Sequence, residues 1–189
     1  INKEVQWDKT LELVSKTDIY GTILYCNENF VNVSGYQEFE LAGQPHNIIR
    51  HPDMPKVIFK FLWHNISNGK DFNAVIKNLS KTGEYYWVVT KFDILKNDND
   101  KIIGFVSRRK GINEAATIHF EKLYERLSKI ENQVGINAAQ DYFYGLLDDQ
   151  QKTYEEYISD ILNDDYISSN YNTDFSYTET EKSVKEKKG

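Results

Sequence analysis

Gly43-Gln44-Pro45-His46-Asn47-Ile48-Ile49-Arg50-His51-Pro52-Asp53-Met54-Pro55 contains all three prolines of the chain, two of its four histidines and its only methionine. Each proline fixes its own φ and pushes the residue before it, here Gln44, His51 and Met54, toward extended geometry. No long helix can run through such a stretch. It predicts a shaped wall of short helical turns, with Arg50, His51 and Asp53 nearly adjacent, built to enclose something.

Upstream of this wall, residues alternate over 11–16, Asp18-Ile19-Tyr20-Gly21 turns the chain, and Thr22 to Asn27 reads as a second strand, which predicts a β-hairpin. Asn29-Phe30-Val31 opens a brief helix closed by Gly35, and Gln37 to Leu41 adds one more turn stopped at Gly43. Residues 1–10 read as a short N-terminal helix or cap. Downstream, Lys56 to Ser67 places Val57, Ile58, Phe61, Leu62 and Ile66 on one broad helical face and ends at Asn68-Gly69. Three strand-like segments follow, Asp71 to Leu79, Glu84 to Leu95 and Lys101 to Lys110, joined by Ser80-Lys81-Thr82-Gly83 and Asn97-Asp98-Asn99-Asp100. Two strands, several short helices, a longer helix and three strands imply an α+β fold: a five-stranded antiparallel sheet with short helices gathered on one face.

Composition narrows the function classes. At 189 residues, with 40% hydrophobic and 14% aromatic content, the chain can bury one domain core and carry an appendage. A net charge of -6, with basic residues scattered until a terminal lysine cluster, argues against nucleic acid. No apolar run is long enough to span a bilayer, no leader pattern opens the chain, and lone Cys26 cannot form an internal disulfide, so the expected setting is cytoplasmic, without direct membrane insertion. No nucleophile elbow, phosphate-binding glycine loop or histidine-kinase motif points to an enzyme, so no catalytic residues are expected. His46, His51 and Asp53 fit no structural zinc spacing, and no metal site is expected.

The order of elements, and the residues within it, resemble the PAS superfamily, most of all the FAD-binding PAS domains of bacterial aerotaxis receptors. The resemblance rests on Val33-Ser34-Gly35-Tyr36 and the run Leu41 to Lys56. It continues through Phe59 and Trp63, Ile76-Lys77-Asn78, Lys81-Thr82-Gly83-Glu84-Tyr85-Tyr86-Trp87-Val88, Ile102-Ile103-Gly104-Phe105 and Ser107-Arg108. It spans roughly residues 8–112. It implies a PAS fold that binds FAD, with Arg50, His51 and Asp53 as cofactor-supporting positions. Aerotaxis receptors ordinarily continue into a membrane anchor and a signalling domain. The chain resembles instead the stand-alone PAS proteins of bipartite energy-taxis systems, so a soluble redox sensor signalling by contact to a chemoreceptor-like transducer is expected. The expected layout is a cap at 1–10, a PAS sensory domain at 11–112, a helical extension at 113–162 and a disordered polar tail at 163–189.

A flavin needs an apolar slot, donors and acceptors at its pyrimidine edge, and cations or backbone N–H groups for its pyrophosphate. Trp63, Phe59, Ile49, Ile76 and Val88 are candidates for the slot. Asn78 and Asn27 are candidates for the pyrimidine edge, and His46 and Arg50 for phosphate or ribose. Blander roles stand beside these: Asp53 as the cap of the helix starting near Pro55, Arg50 and Asp53 as an ion pair, His51 as a hydrogen-bonded core residue, Trp63 as core filler. Trp87 is expected on the opposite sheet face. The LOV photoadduct cysteine matches His46 and the LOV signalling glutamine matches Val106, so redox sensing is the simpler expectation. Heme held by His46 or His51, a small metabolite, and a ligand-free dimerisation adaptor remain the alternatives. Phe120, Leu123, Leu127, Ile130 and Val134 recur at three- and four-residue steps, followed by Phe143, Leu147, Tyr154, Ile158 and Ile161. Such seams suit a coiled coil or a helix folded back on the sheet, and a homodimer through the cap, the sheet surface or these helices is expected.

Overall fold

The computed structural model describes residues 2–162; the tail expected at 163–189 lies outside them. The hairpin forms strands β1 (Leu13–Asp18) and β2 (Ile23–Cys26). At the turn, Gly21 has φ 83°, and an added Cβ would lie 3.1 Å from the Trp63 ring, so glycine serves both the turn and the close packing of the indole. Asn27 then caps helix α1 (Glu28–Ser34), and Gly35, at φ 74°, ends it in the left-handed region. Helix α2 (Glu38–Leu41) leads into the proline-rich wall, where His46–Ile49 forms a 3₁₀ turn.

Helix α3 (Lys56–Ser67) precedes strands β3 (Ala74–Leu79), β4 (Tyr85–Lys96) and β5 (Ile102–Gly111). All neighbouring strands are antiparallel, in the order β2-β1-β5-β4-β3. Residues 3–5 form no helix. They run extended beside β4, where Val5 N donates to Tyr85 O at 2.8 Å and Tyr85 N to Lys3 O at 2.9 Å.

The C-terminal segment forms α4 (Glu114–Val134), α5 (Ile136–Asp149) and α6 (Tyr154–Leu162). The seam on α4 folds back: Phe120, Leu123, Tyr124 and Leu127 are buried, while Val134 is 73% exposed. Tyr124 packs on Trp87, with ring centroids 5.8 Å apart, so Trp87 is covered by a helix of its own chain. Phe61 of α3 meets Phe143 of α5 at 5.8 Å, and Phe72 stacks on Tyr154 of α6 at 4.7 Å.

Strand β3 ends the sheet, and the lid and the C-terminal helices engage much of its outer edge. Arg50 bridges to Asn78, Met54 Sδ accepts from Lys77 N, the Tyr124 hydroxyl donates to Val75 O, and the Tyr154 hydroxyl donates to Asn73 O. Edge strands left bare pair with other chains, so this coverage matters to the whole molecule.

Candidate functional site

A cavity of about 230 Å³ lies between the sheet, α3 and the proline-rich lid. Ile49, Phe59, Leu62, Trp63, Ile66, Ile76, Phe92 and Phe105 give it apolar walls; Thr17, Asn78, Thr90, Ser107 and Arg109 contribute polar groups from the strands. Tyr20, Asn47 and Arg50 also line it, all three exposed. The volume is just under the roughly 300–1,000 Å³ of drug-sized ligand pockets. It has room for a ring system but not for a whole dinucleotide.

Of the residues expected in the site, the cavity brings together His46, Ile49, Arg50, Phe59, Trp63, Ile76 and Asn78. Trp63 meets Phe105 edge-on at 5.9 Å. The Arg50 guanidinium lies 3.7 Å from the centroid of the Phe59 ring, which fixes a cation on the cavity wall. Val88 is buried opposite Ile76 but is not a lining residue.

The structure places Asn27, His51 and Asp53 elsewhere. The Asn27 amide is consumed by the fold: Oδ1 accepts from Phe30 N and Val14 N, both at 3.0 Å, and Nδ2 donates to Glu12 O at 2.9 Å. His51 Nδ1 accepts from Asp53 N at 3.1 Å. Asp53 is an outside residue, its side chain 67% exposed and paired with Lys77 Nζ at 3.0 Å rather than with Arg50. Nor does Asp53 cap α3. Glu131 of α4 does so, its carboxylate accepting from Lys56 N at 2.9 Å and Val57 N at 2.6 Å. The lid therefore has two halves, His46 to Arg50 on the cavity and His51 to Asp53 on the outer surface facing Lys77.

His46 carries the site's electrostatics. Its Nε2 lies 2.8 Å from Arg109 Nη2 and 3.1 Å from Ser15 Oγ. A guanidinium only donates, so Nε2 must accept and the ring proton sits on Nδ1. Burial, followed by the neighbouring Arg109 and Arg50 charges, pushes the His46 pKa down to about 3, and the ring is neutral at physiological pH. The Ser15–His46 pair resembles a nucleophile and its base, but a base so depressed and already accepting from Arg109 activates no hydroxyl.

Arg109, Ser107, Thr90, Thr17 and Phe105 were missed by reading the sequence. Arg109 is 3% exposed, donates to Ser15 Oγ at 3.0 Å, and lies over the Phe30 ring at 5.1 Å. Strand alternation in β5 was the available signal, since Phe105, Ser107 and Arg109 are spaced by two. Val106, matched to the LOV glutamine, does not line the cavity, and no lining residue is a glutamine. Among the described residues no cluster of His, Cys, Asp or Glu suits a metal ion, and no helix is long and apolar enough to cross a membrane.

These residues fit a flavin. Arg50 and Arg109 are cations suited to phosphate or to electron-rich ring atoms, the aromatic walls suit a planar ring, and no lining residue is a carboxylate that would repel either. One lining group, the Thr90 hydroxyl, is buried without a hydrogen-bond partner.

Residues 23–108 match the family model described as PAS fold. The chain is 39% identical over 116 residues to the aerotaxis receptor of Escherichia coli K12, covering 61% of this chain and 23% of the receptor. It is 23% identical over 112 residues to the biofilm dispersion protein BdlA of Pseudomonas aeruginosa, covering 59% and 26%. The chain thus spans about a quarter of the length of these relatives. Among solved structures, a light-oxygen-voltage domain studied with a flavin analogue superposes with a TM-score of 0.54 at 18% identity, over 62% of this chain and 89% of that one. The light-state LOV domain of the photoreceptor Aureochrome1 gives 0.54 at 17%, over 65% and 95%. By the family match over residues 23–108, the strand order and the solved neighbours, this part of the chain has the PAS fold.

Proposed function

We propose that the chain is a redox or energy sensor that holds FAD in the cavity beneath the lid and signals by contact with a chemoreceptor-like transducer. The observation that carries this reading is the cavity itself, aromatic-walled, cationic at Arg50 and Arg109 and free of carboxylates. The 39% identity to an aerotaxis receptor supports it. When bound, FAD supplies a redox-active ring whose hydrogen bonding and charge change on reduction.

The chain's own part is to hold and to respond. Trp63, Phe59 and Phe105 grip a planar ring, Asn78 offers a donor and an acceptor, and Arg50 holds a phosphate at the exposed side. Arg109 links the lid to the sheet through His46, so a charge change in the cavity alters the balance on that hydrogen bond. The lid's outer half meets α4 through Ser128 Oγ, which donates to Asp53 O at 3.3 Å, and Glu131 of α4 caps α3 just beyond it. That contact offers a path from the cavity to a surface a partner can read. Heme ligation by His46 Nε2 would first have to displace Arg109, which favours flavin. The reading is of a sensor, not an enzyme, working in the cytoplasm as a homodimer.

The absorption spectrum of the purified protein tests this. The expected result is the two-banded spectrum of oxidised flavin, largely lost in R50A and W63A. A heme spectrum, or a colourless wild type that takes up no added FAD, would overturn it.

A further inference from the structure

Thr90 sits at mid-strand in β4, fully buried at 0% exposure, and lines the cavity. Its Oγ1 is the only buried side-chain polar atom among the lining residues left without a partner. Such a hydroxyl carries an unrepaid desolvation cost, and a valine of the same shape would avoid it. Valine also suits strands, and Val88 and Val89 stand immediately before it. At this position the hydroxyl is open to a ligand in the cavity.

Register locates that use. Thr90 faces Arg109 across β4 and β5, and Phe92 faces Ser107, so hydroxyl, guanidinium and the second hydroxyl adjoin on the central strands. Beside a permanent cation, a ligand atom that meets Thr90 is electron-rich, and the hydroxyl is the donor. Asn78, the other polar wall group, lies on the edge strand. Thr90 pairs with Ala74, four residues from Asn78, so the two are about 13 Å apart along the strand direction at roughly 3.3 Å per residue. One edge of one ring cannot meet both.

We propose that the Thr90 hydroxyl donates, beside Arg109, to a carbonyl oxygen or ring nitrogen of a planar heteroaromatic ligand held in the cavity, a contact separate from any that Asn78 makes. This rests on the reading of the cavity as a flavin site and assigns Thr90 as a binding residue within it.

FAD is titrated into the ligand-free 189-residue chain and into T90V, T90A and T90S, and the melting temperature of each ligand-free protein is recorded. T90V should melt higher than wild type, because the buried hydroxyl is gone, yet bind FAD about tenfold more weakly, because its donor is gone. T90A should lose the same affinity despite poorer packing, and T90S should keep it. Stability and affinity moving in opposite directions separates a ligand contact from a structural role. Equal FAD affinity in wild type and T90V, or a T90V that melts lower than wild type, overturns the Thr90 assignment alone. A wild type that takes up no FAD overturns the flavin reading and this inference with it.

Discussion

Neighbouring arginines on β5 have opposite surroundings. Arg108 reaches Asp93 at 2.7 Å and Glu12 at 3.2 Å on the outer face, whereas Arg109 points inward to Ser15 and His46. Nothing in Ser107-Arg108-Arg109-Lys110 alone says which arginine is buried, because that depends on strand register and on the serine and histidine waiting inside. For the same reason Asn27 read as a ligand contact: an asparagine at a strand end suits a cap or a pocket equally until its partners are seen. N27A should lower stability by about 1–2 kcal/mol in chemical denaturation while leaving FAD affinity unchanged, since its amide serves only the backbone. His46 makes stability depend on pH. Its folded pKa, about 3, lies below the ordinary value of 6.5, so the unfolded chain binds the proton first as pH falls. Stability is complete above about pH 6.5 and is lost toward pH 3, at no more than about 1.4 kcal/mol per pH unit from this residue. His51 and His119, also lowered by burial, act in the same direction. Denaturant midpoints at pH 7 and pH 5 should differ less in H46Q than in wild type.

At the scale of elements, strand order, lid and hairpin were legible because their punctuation is local: Gly21, Gly35 and Gly83 all have positive φ, and prolines bracket the lid. What joins elements distant in sequence was not legible. Glu131 is 74 residues from Val57, and no local pattern marks a glutamate on α4 as the cap of α3. The sequence offers Asp53 for that role, beside a cofactor-supporting one, because it stands at the helix entrance. The proline before Lys56 makes α3 start without a side-chain cap of its own, which leaves the position open to a distant carboxylate. E131A should therefore cost about 1–2 kcal/mol, and hydrogen exchange should rise at the start of α3 and along α4 together. D53N should change neither by as much, since Asp53 is largely exposed and its pairing with Lys77 is a surface interaction on that side.

Across the whole molecule, α4, α5 and α6 fold back on the sheet and on α3, burying an aromatic cluster of Phe61, Phe72, Phe143 and Tyr154. The seam that suited a coiled coil is thus used within the chain over most of its length. A surface for a second copy must come from what stays exposed, such as Leu24 and Tyr25 on β2 or Phe39 on α2. The two tyrosine hydroxyls on the β3 edge make the C-terminal helices a guard as well as a lever. If a signal lifts those helices, the carbonyls of Asn73 and Val75 become a template onto which another strand can be added. Sensing and self-association would then draw on one motion. A chain ending at Ile112 should form concentration-dependent oligomers in light scattering, where the 189-residue chain does so less. Monomers at every concentration would mean that the lid alone is enough to keep that edge closed.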